Sequence, residues 1–167
     1  MTEQGGLGRK TRRKKRRVQK AHPEIIHYIV EIADWDWDFS FGVNTIKDKD
    51  DPYFDFRHLE LRGKLLRPSG IEVDDVEVAF LPDRRLNETE RSRDEPQSVG
   101  SFQIHRGTLQ FIIPMPADVL PAVLQMMIAG RFRFVIMDGD RPRYRQGRVR
   151  MYRLVRDYDR DDFPAGE

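Results

Sequence analysis

The feature that most constrains this chain is the stretch Gly107–Asp138, where a strand pattern, a helix pattern and a second strand pattern follow without interruption. Leu109, Phe111 and Ile113 alternate as one face of a strand does, and Ile112 on the other face suggests burial on both sides. Pro114 and Pro116 end that strand. Leu120, Val123, Leu124, Met127 and Ile128 then fall at the i, i+3, i+4, i+7, i+8 spacing of an amphipathic helix. Asp118 suits an N-cap, Pro121 is tolerated in a first turn, and Gly130 suits a helix stop, so a helix is expected over about 118–129. Phe132, Phe134 and Ile136 alternate again, against Arg131 and Arg133. This stretch supplies core and carries no catalytic motif.

The rest of the chain reads as strands. From Ile25 to Val43 the apolar residues change phase: Ile26, Tyr28, Val30 and Ile32 share one parity, Trp35, Trp37, Phe39 and Phe41 the other. A period of two cannot switch faces without an extra residue, so a bulge is expected near Ala33–Asp34. Tyr53–Leu66 and Val73–Leu81 read as a hairpin turning at Arg67-Pro68-Ser69-Gly70, with Gly63 marking a bulge or a close backbone approach. Val99, Phe102 and Ile104 mark another strand, and Val149, Met151 and Leu154 or Val155 the last. Asp138-Gly139 begins a hairpin connection that extends through Asp140 to Gly147. The fold expected is mainly β, an antiparallel β-sandwich or partly open barrel of about seven strands, with the one α-helix between the fifth and sixth. Residues 23–167 form that single domain, with a long polar loop at 82–98. Residues 1–22 form a basic tail with almost nothing to bury, expected to be disordered. Asp157–Phe163 is expected to fray.

Charge is the second constraint. The formal net charge is +2, but it is unevenly spread. Arg9, Lys10, Arg12, Arg13, Lys14, Lys15, Arg16, Arg17 and Lys20 stand in one short run. Removing residues 1–20 takes away nine bases and one acid, so 21 bases and 27 acids remain, a net of −6. Residues 131–156 are the exception within the body, with nine arginines against Asp138 and Asp140. Arg131 and Arg133 on one strand, with Arg148 and Arg150 on its hairpin partner, can form one basic face, with Tyr144 and Tyr152 interleaved. Arginine suits bidentate phosphate contacts. The structural alternative is that these arginines lie beside Asp34, Asp36 and Asp38 and balance them, their stems covering sheet surface.

These features point to a non-enzymatic accessory protein that associates with DNA or RNA. The tail would neutralise phosphates and the arginine-rich hairpin would set position. The alternative is a protein-interaction or assembly module, docking on an acidic protein partner or forming a homodimer through the helix or a sheet edge. A small-ligand binder or enzyme would need His58 or His105 to meet Trp35 or Trp37 in a pocket. No nucleophile, dinucleotide or phosphate-loop motif is present, and no cofactor is implied. The row Asp34, Asp36, Asp38 opens like a calcium loop, but Phe39 stands where the turn needs Gly and Thr45 where it needs Glu. The chain has no cysteine, which excludes disulfides and thiol chemistry. No apolar run approaches the ~20 residues of a membrane span, and no apolar region follows the charged N-terminus. A cytoplasmic setting is expected, or a nuclear one in a eukaryote.

Overall fold

The computed structural model describes residues 24–45, 52–89 and 96–163. The tail 1–22 and its nine bases lie outside the described residues, as does the middle of the expected 82–98 loop. The elements are β1 (Ile25–Val43), β2 (Tyr53–Arg67), β3 (Asp75–Asp83), a 3-10 turn at Arg84–Leu86, β4 (Gly100–His105), β5 (Thr108–Pro116), α1 (Leu120–Ile128), β6 (Phe134–Asp140) and β7 (Gln146–Val155). The seven strands close into a barrel in the order β1-β2-β3-β5-β4-β7-β6, with β6 returning to β1. Mainly β structure with a single helix between the fifth and sixth strands is what the sequence pattern predicts.

All pairs but one are antiparallel. The exception is β3 with β5, which run parallel from Asp75↔Thr108 to Asp83↔Pro116. It follows from the β4–β5 hairpin: its second strand, not its first, lies against β3, and β4 goes outward to pair with β7. β3 ends and β4 begins on opposite sides of β5, at the same end of the barrel. Pro82 and Asp83 still pair with Met115 and Pro116, so the loop expected from residue 82 begins only after Asp83.

The phase change in β1 is a bulge. Ile32 opposes Gly63 and Asp34 opposes Arg62, leaving Ala33 unmatched. Before the bulge Ile26, Tyr28 and Val30 face the interior; after it Trp35 and Trp37 pack on the same core, half-buried. The interior is filled by Leu59, Leu61, Val78, Phe80, Phe102, Leu109, Phe111, Ile113 and Met115, all at most 2% exposed. Tyr28, Phe102 and Phe111 form a ring cluster with centroids 5.0–5.5 Å apart.

The helix closes the barrel end at which β5 finishes and β6 starts. Leu120 and Met127 are buried, and Val123 and Leu124, partly buried, pack against the same core. Two details differ from the sequence reading. Val119, not Asp118, is the N-cap; the Asp118 backbone N–H is held instead by the Asn87 side-chain oxygen at 3.2 Å. Ile128 lies 75% exposed, because the helix ends on the turn where the stripe has already rotated clear of the barrel.

Ile112 is 44% exposed rather than doubly buried, since nothing described covers the outside of β5 there. The outside of β1 and β6 is covered. Ile29 and Ile136 are buried with Phe163, flanked by Leu66, Phe134, Val155 and Tyr158. The segment expected to fray thus lies along the barrel wall. Arg67 Nη1 donates to the Phe163 carbonyl, the His27 ring meets Phe163 edge-on at 5.2 Å, and the Arg153 guanidinium lies 5.5 Å over it. Its few apolar residues were outnumbered by charges in the sequence, but each finds a partner on the wall.

Tyr28 carries a pH dependence. Its hydroxyl donates to the Asp140 carbonyl at 2.8 Å. Burial, and then the Asp140 carboxylate, raise its pKa above the usual phenol value, and burial raises Tyr152 likewise. The unfolded phenols therefore release protons first, and stability is complete below pH 10 and falls as pH rises beyond it. Tyr28→Phe should cost about 1 kcal/mol at neutral pH through the lost hydrogen bond. It should also flatten the alkaline decline, Tyr152 supplying the remainder. Urea unfolding of both proteins across the alkaline range checks this; parallel declines would rule it out.

Candidate nucleic-acid interface

The register of β6 with β7 decides where the arginines go. Phe134 opposes Val155 at one end of the pair and Gly139 opposes Val149 at the other. Arg133 precedes β6 and donates its N–H to the Val155 carbonyl at 2.9 Å. Arg148 and Arg150 lie at the far end, about 20 Å away along the seven residues of β6. Arg131, Arg133, Arg148 and Arg150 therefore do not form the single basic face expected from the sequence. Facing residues in a hairpin add to a constant number, and here that constant pairs the low end of β6 with the high end of β7.

Each of these arginines has its own surroundings. Arg133 lies 3.8 Å from Glu31 and over the Phe134 ring. Arg150 is fixed on Asp140 at 2.7 Å, and Arg148 donates to the Gln97 side chain at 2.8 Å. Arg131 makes no ion pair among the described residues. Nor do the arginines balance the aspartate row: Asp34, Asp36 and Asp38 face Arg62, Glu60 and His58 on β2. Asp34–Asp38 and the hairpin share no strand pairing, because β1 leaves β6 at Glu31.

The arginines that do stand together are those of the β6–β7 turn. Strand β6 runs through Asp140, so Asp138-Gly139 is not the turn. Gly139 is required by close approach: a Cβ there would sit 2.8 Å from the Arg148 carbonyl oxygen and 3.2 Å from the Tyr28 ring. The chain reverses at Tyr144–Arg145, with Arg143 and Gln146 exchanging both backbone hydrogen bonds at 2.8 and 3.0 Å. Tyr144 and Arg145 have φ of 52° and 65°, the type I′ geometry that glycine and asparagine normally supply. Bulky residues held there cost on the order of 1–3 kcal/mol each, and such strain gathers at functional positions. The result is a Tyr144 ring fully exposed at the tip, with Arg143 and Arg145 on either side. Neither arginine makes an ion pair among the described residues; Arg141 lies 3.4 Å from Glu24.

Beneath the tip is an open groove of about 520 Å³. Ile26, Ile71, Ile104, Pro68 and Pro142 form its apolar floor, and Arg141, Arg145 and Glu72 its polar rim. Glu24, the first described residue, stands at this same end, opening β1 where Ile25 faces Asp140. The basic run Arg9–Lys20 is therefore joined to the barrel beside the arginine turn. Arg141, Arg143, Tyr144 and Arg145 are the residues that sequence reasoning did not select. Their signal was the interleaved tyrosine, but only the turn geometry makes it the tip.

The other candidate chemistry is not assembled. His58 lies on β2 next to Glu60 at 3.8 Å, while His105 ends β4 at the opposite end of the barrel. Trp35 and Trp37 are half-buried and pack against the core. Among the described residues no three His, Asp or Glu side chains are grouped to hold a metal ion. No described helix is long and apolar enough to cross a membrane. Comparison with family models, curated proteins and solved structures finds no match to this chain.

Proposed function

We propose that this protein binds nucleic acid as a non-enzymatic accessory factor, with a preference for unpaired strands. The observation that carries the proposal is the fully exposed Tyr144 between Arg143 and Arg145, at the barrel end where the basic run Arg9–Lys20 joins β1. An exposed aromatic ring stacks on a splayed base, and flanking guanidinium groups hold the phosphates beside it. The basic run adds affinity that does not depend on sequence. The strained turn supports the same reading, because an Asn-Gly turn would be more stable and would present neither ring nor charge. Such a role belongs where nucleic acid is, in a cytoplasm or a nucleus.

The test is an anisotropy titration of labelled single-stranded and duplex DNA and RNA over a salt series. Neutralising the nine tail bases by substitution with Gln should remove most of the salt dependence, which for single strands is about −0.7 in log K per log salt for each phosphate neutralised. Tyr144→Ala should weaken single-strand binding by about 1–3 kcal/mol, roughly fivefold to 150-fold, and leave duplex binding nearly unchanged. Absence of binding at low salt, or single-strand affinity indifferent to Tyr144, would overturn the proposal.

A further inference from the structure

The end of the barrel opposite the arginine turn carries a structure the nucleic-acid reading does not use. Strand β1 pairs with β6 only from Ile25 to Glu31, and β2 pairs with β3 only from Leu59 to Gly63. Beyond those points β1 and β2 pair only with each other, from Asp38↔His58 to Val43↔Tyr53. This two-stranded arm is about 20 Å long. A two-stranded ribbon in water is marginal by itself, yet this one is apolar. Phe39, Phe41, Val43 and Tyr53 share one face and are 58%, 65%, 63% and 54% exposed. They continue the row of Trp35 and Trp37 that begins in the core.

We infer that a second copy of this chain covers this face, forming a two-fold symmetric dimer. Apolar area selects the face, and charge neutrality suits a second copy as its occupant. Besides its aromatics the Phe41 face holds only Asp55 and Arg57, paired with each other at 2.7 Å and so neutral together. A two-fold contact repeats that neutral pair and brings no like charges together. The opposite face of the arm carries Phe54 and Phe56, about half exposed, beside Asp38, Ser40 and His58, and offers two exposed apolar side chains against four. The Arg57 Nε is buried and has no hydrogen-bond partner among the described residues, an orphan donor on the chosen face.

The area is sufficient. At their observed exposures the four apolar side chains present about 450 Å² per copy, so a symmetric contact hides about 900 Å². Trp35, Trp37, Asp55 and Arg57 lie in the same row and carry the total past the ~1,000 Å² at which an interface becomes specific. The patch also lies within the ~300–600 Å² of the largest and often functional apolar patches on monomers.

Sedimentation velocity of the full chain over a wide concentration range tests this, at high salt so that nucleic-acid bridging is suppressed. A monomer–dimer equilibrium is expected. Phe41→Asp should weaken the dimer at least about thirtyfold. Ser40→Asp, adjacent on β1 but facing the other way, should leave it nearly unchanged. Because the chain has no cysteine, Phe41→Cys and Ser40→Cys give an independent readout under oxidation. Phe41→Cys should form covalent dimers and Ser40→Cys should not. A monomer at every concentration, a Phe41→Asp protein that dimerises like the wild type, or equal cross-linking from both positions would overturn the inference. None of these outcomes bears on nucleic-acid binding at the other end.

Discussion

Gly63→Val should prevent the barrel from closing. Gly63 sits in the middle of β2, opposite Ile32 on one side and Val76 on the other. A Cβ at this position would fall on the Glu31 carbonyl oxygen, well inside van der Waals contact, and 3.1 Å from the Val30 side chain. The obstacle is backbone, so no rotamer change relieves it. The bulge at Ala33 brings β1 onto Gly63, and moving β1 away would undo the phase change that turns Trp35 and Trp37 inward. The cost should be at least about 4 kcal/mol, against a total stability of order 5–15 kcal/mol for a domain. The expected result is insoluble or molten protein, read by near-ultraviolet circular dichroism and urea unfolding. Gly70→Ala is the control. Nothing lies within 4 Å of a Cβ there, so stability should hold or rise by about 0.4–1 kcal/mol. A cooperatively folded Gly63→Val protein would show that β1 does not lie where it is described.

Phe111→Ala should be the next most damaging change. Phe111 is 1% exposed and its ring meets Tyr28 at 5.5 Å and Phe102 at 5.4 Å in the barrel interior. Its neighbours come from different strands held at fixed spacing, so they cannot collapse into the space left. Large-to-small substitution of a buried phenylalanine costs about 3–5 kcal/mol. At roughly 2–4 °C per kcal/mol for a domain of this size, the melting temperature should fall by about 6–20 °C. The urea midpoint should drop at unchanged slope. A loss under about 1 kcal/mol would mean that the interior repacks freely, which a closed barrel should not permit.

Local chemistry carried much of this fold. The alternation in β5, the stripe of α1 and the phase switch in β1 are properties of short segments, and each formed where its pattern put it. The close approach at Gly63 was legible for the same reason: a glycine on the inner face of a strand has few other uses. The misread places were those where a residue's role depends on a partner far along the chain. Gly139 looked like the start of the turn, which opens only after Asp140, and is a contact point against Tyr28. Phe39 and Phe41 extend the core row of Trp35 and Trp37, yet they are exposed because β6 and β3 stop short of them. Phe163 looked like part of a fraying end and is buried on a wall that its own segment covers.

The candidate site divides in the same way. Composition alone showed that positive charge is concentrated in Arg9–Lys20 and in residues 131–156, since charge counts need no coordinates. The choice among those arginines was tertiary. Hairpin register sent Arg131 and Arg133 to one end and Arg148 and Arg150 to the other, and lifted Arg143, Tyr144 and Arg145 to a tip that the interleaved tyrosine alone did not locate. The sequence by itself determined the period of each segment and the sign of each region, because those follow from side-chain chemistry within a few residues. Only the tertiary structure decided which residues share a face, which end they occupy and which are covered, because strand pairing joins residues more than a hundred positions apart and one step of register exchanges inside for outside.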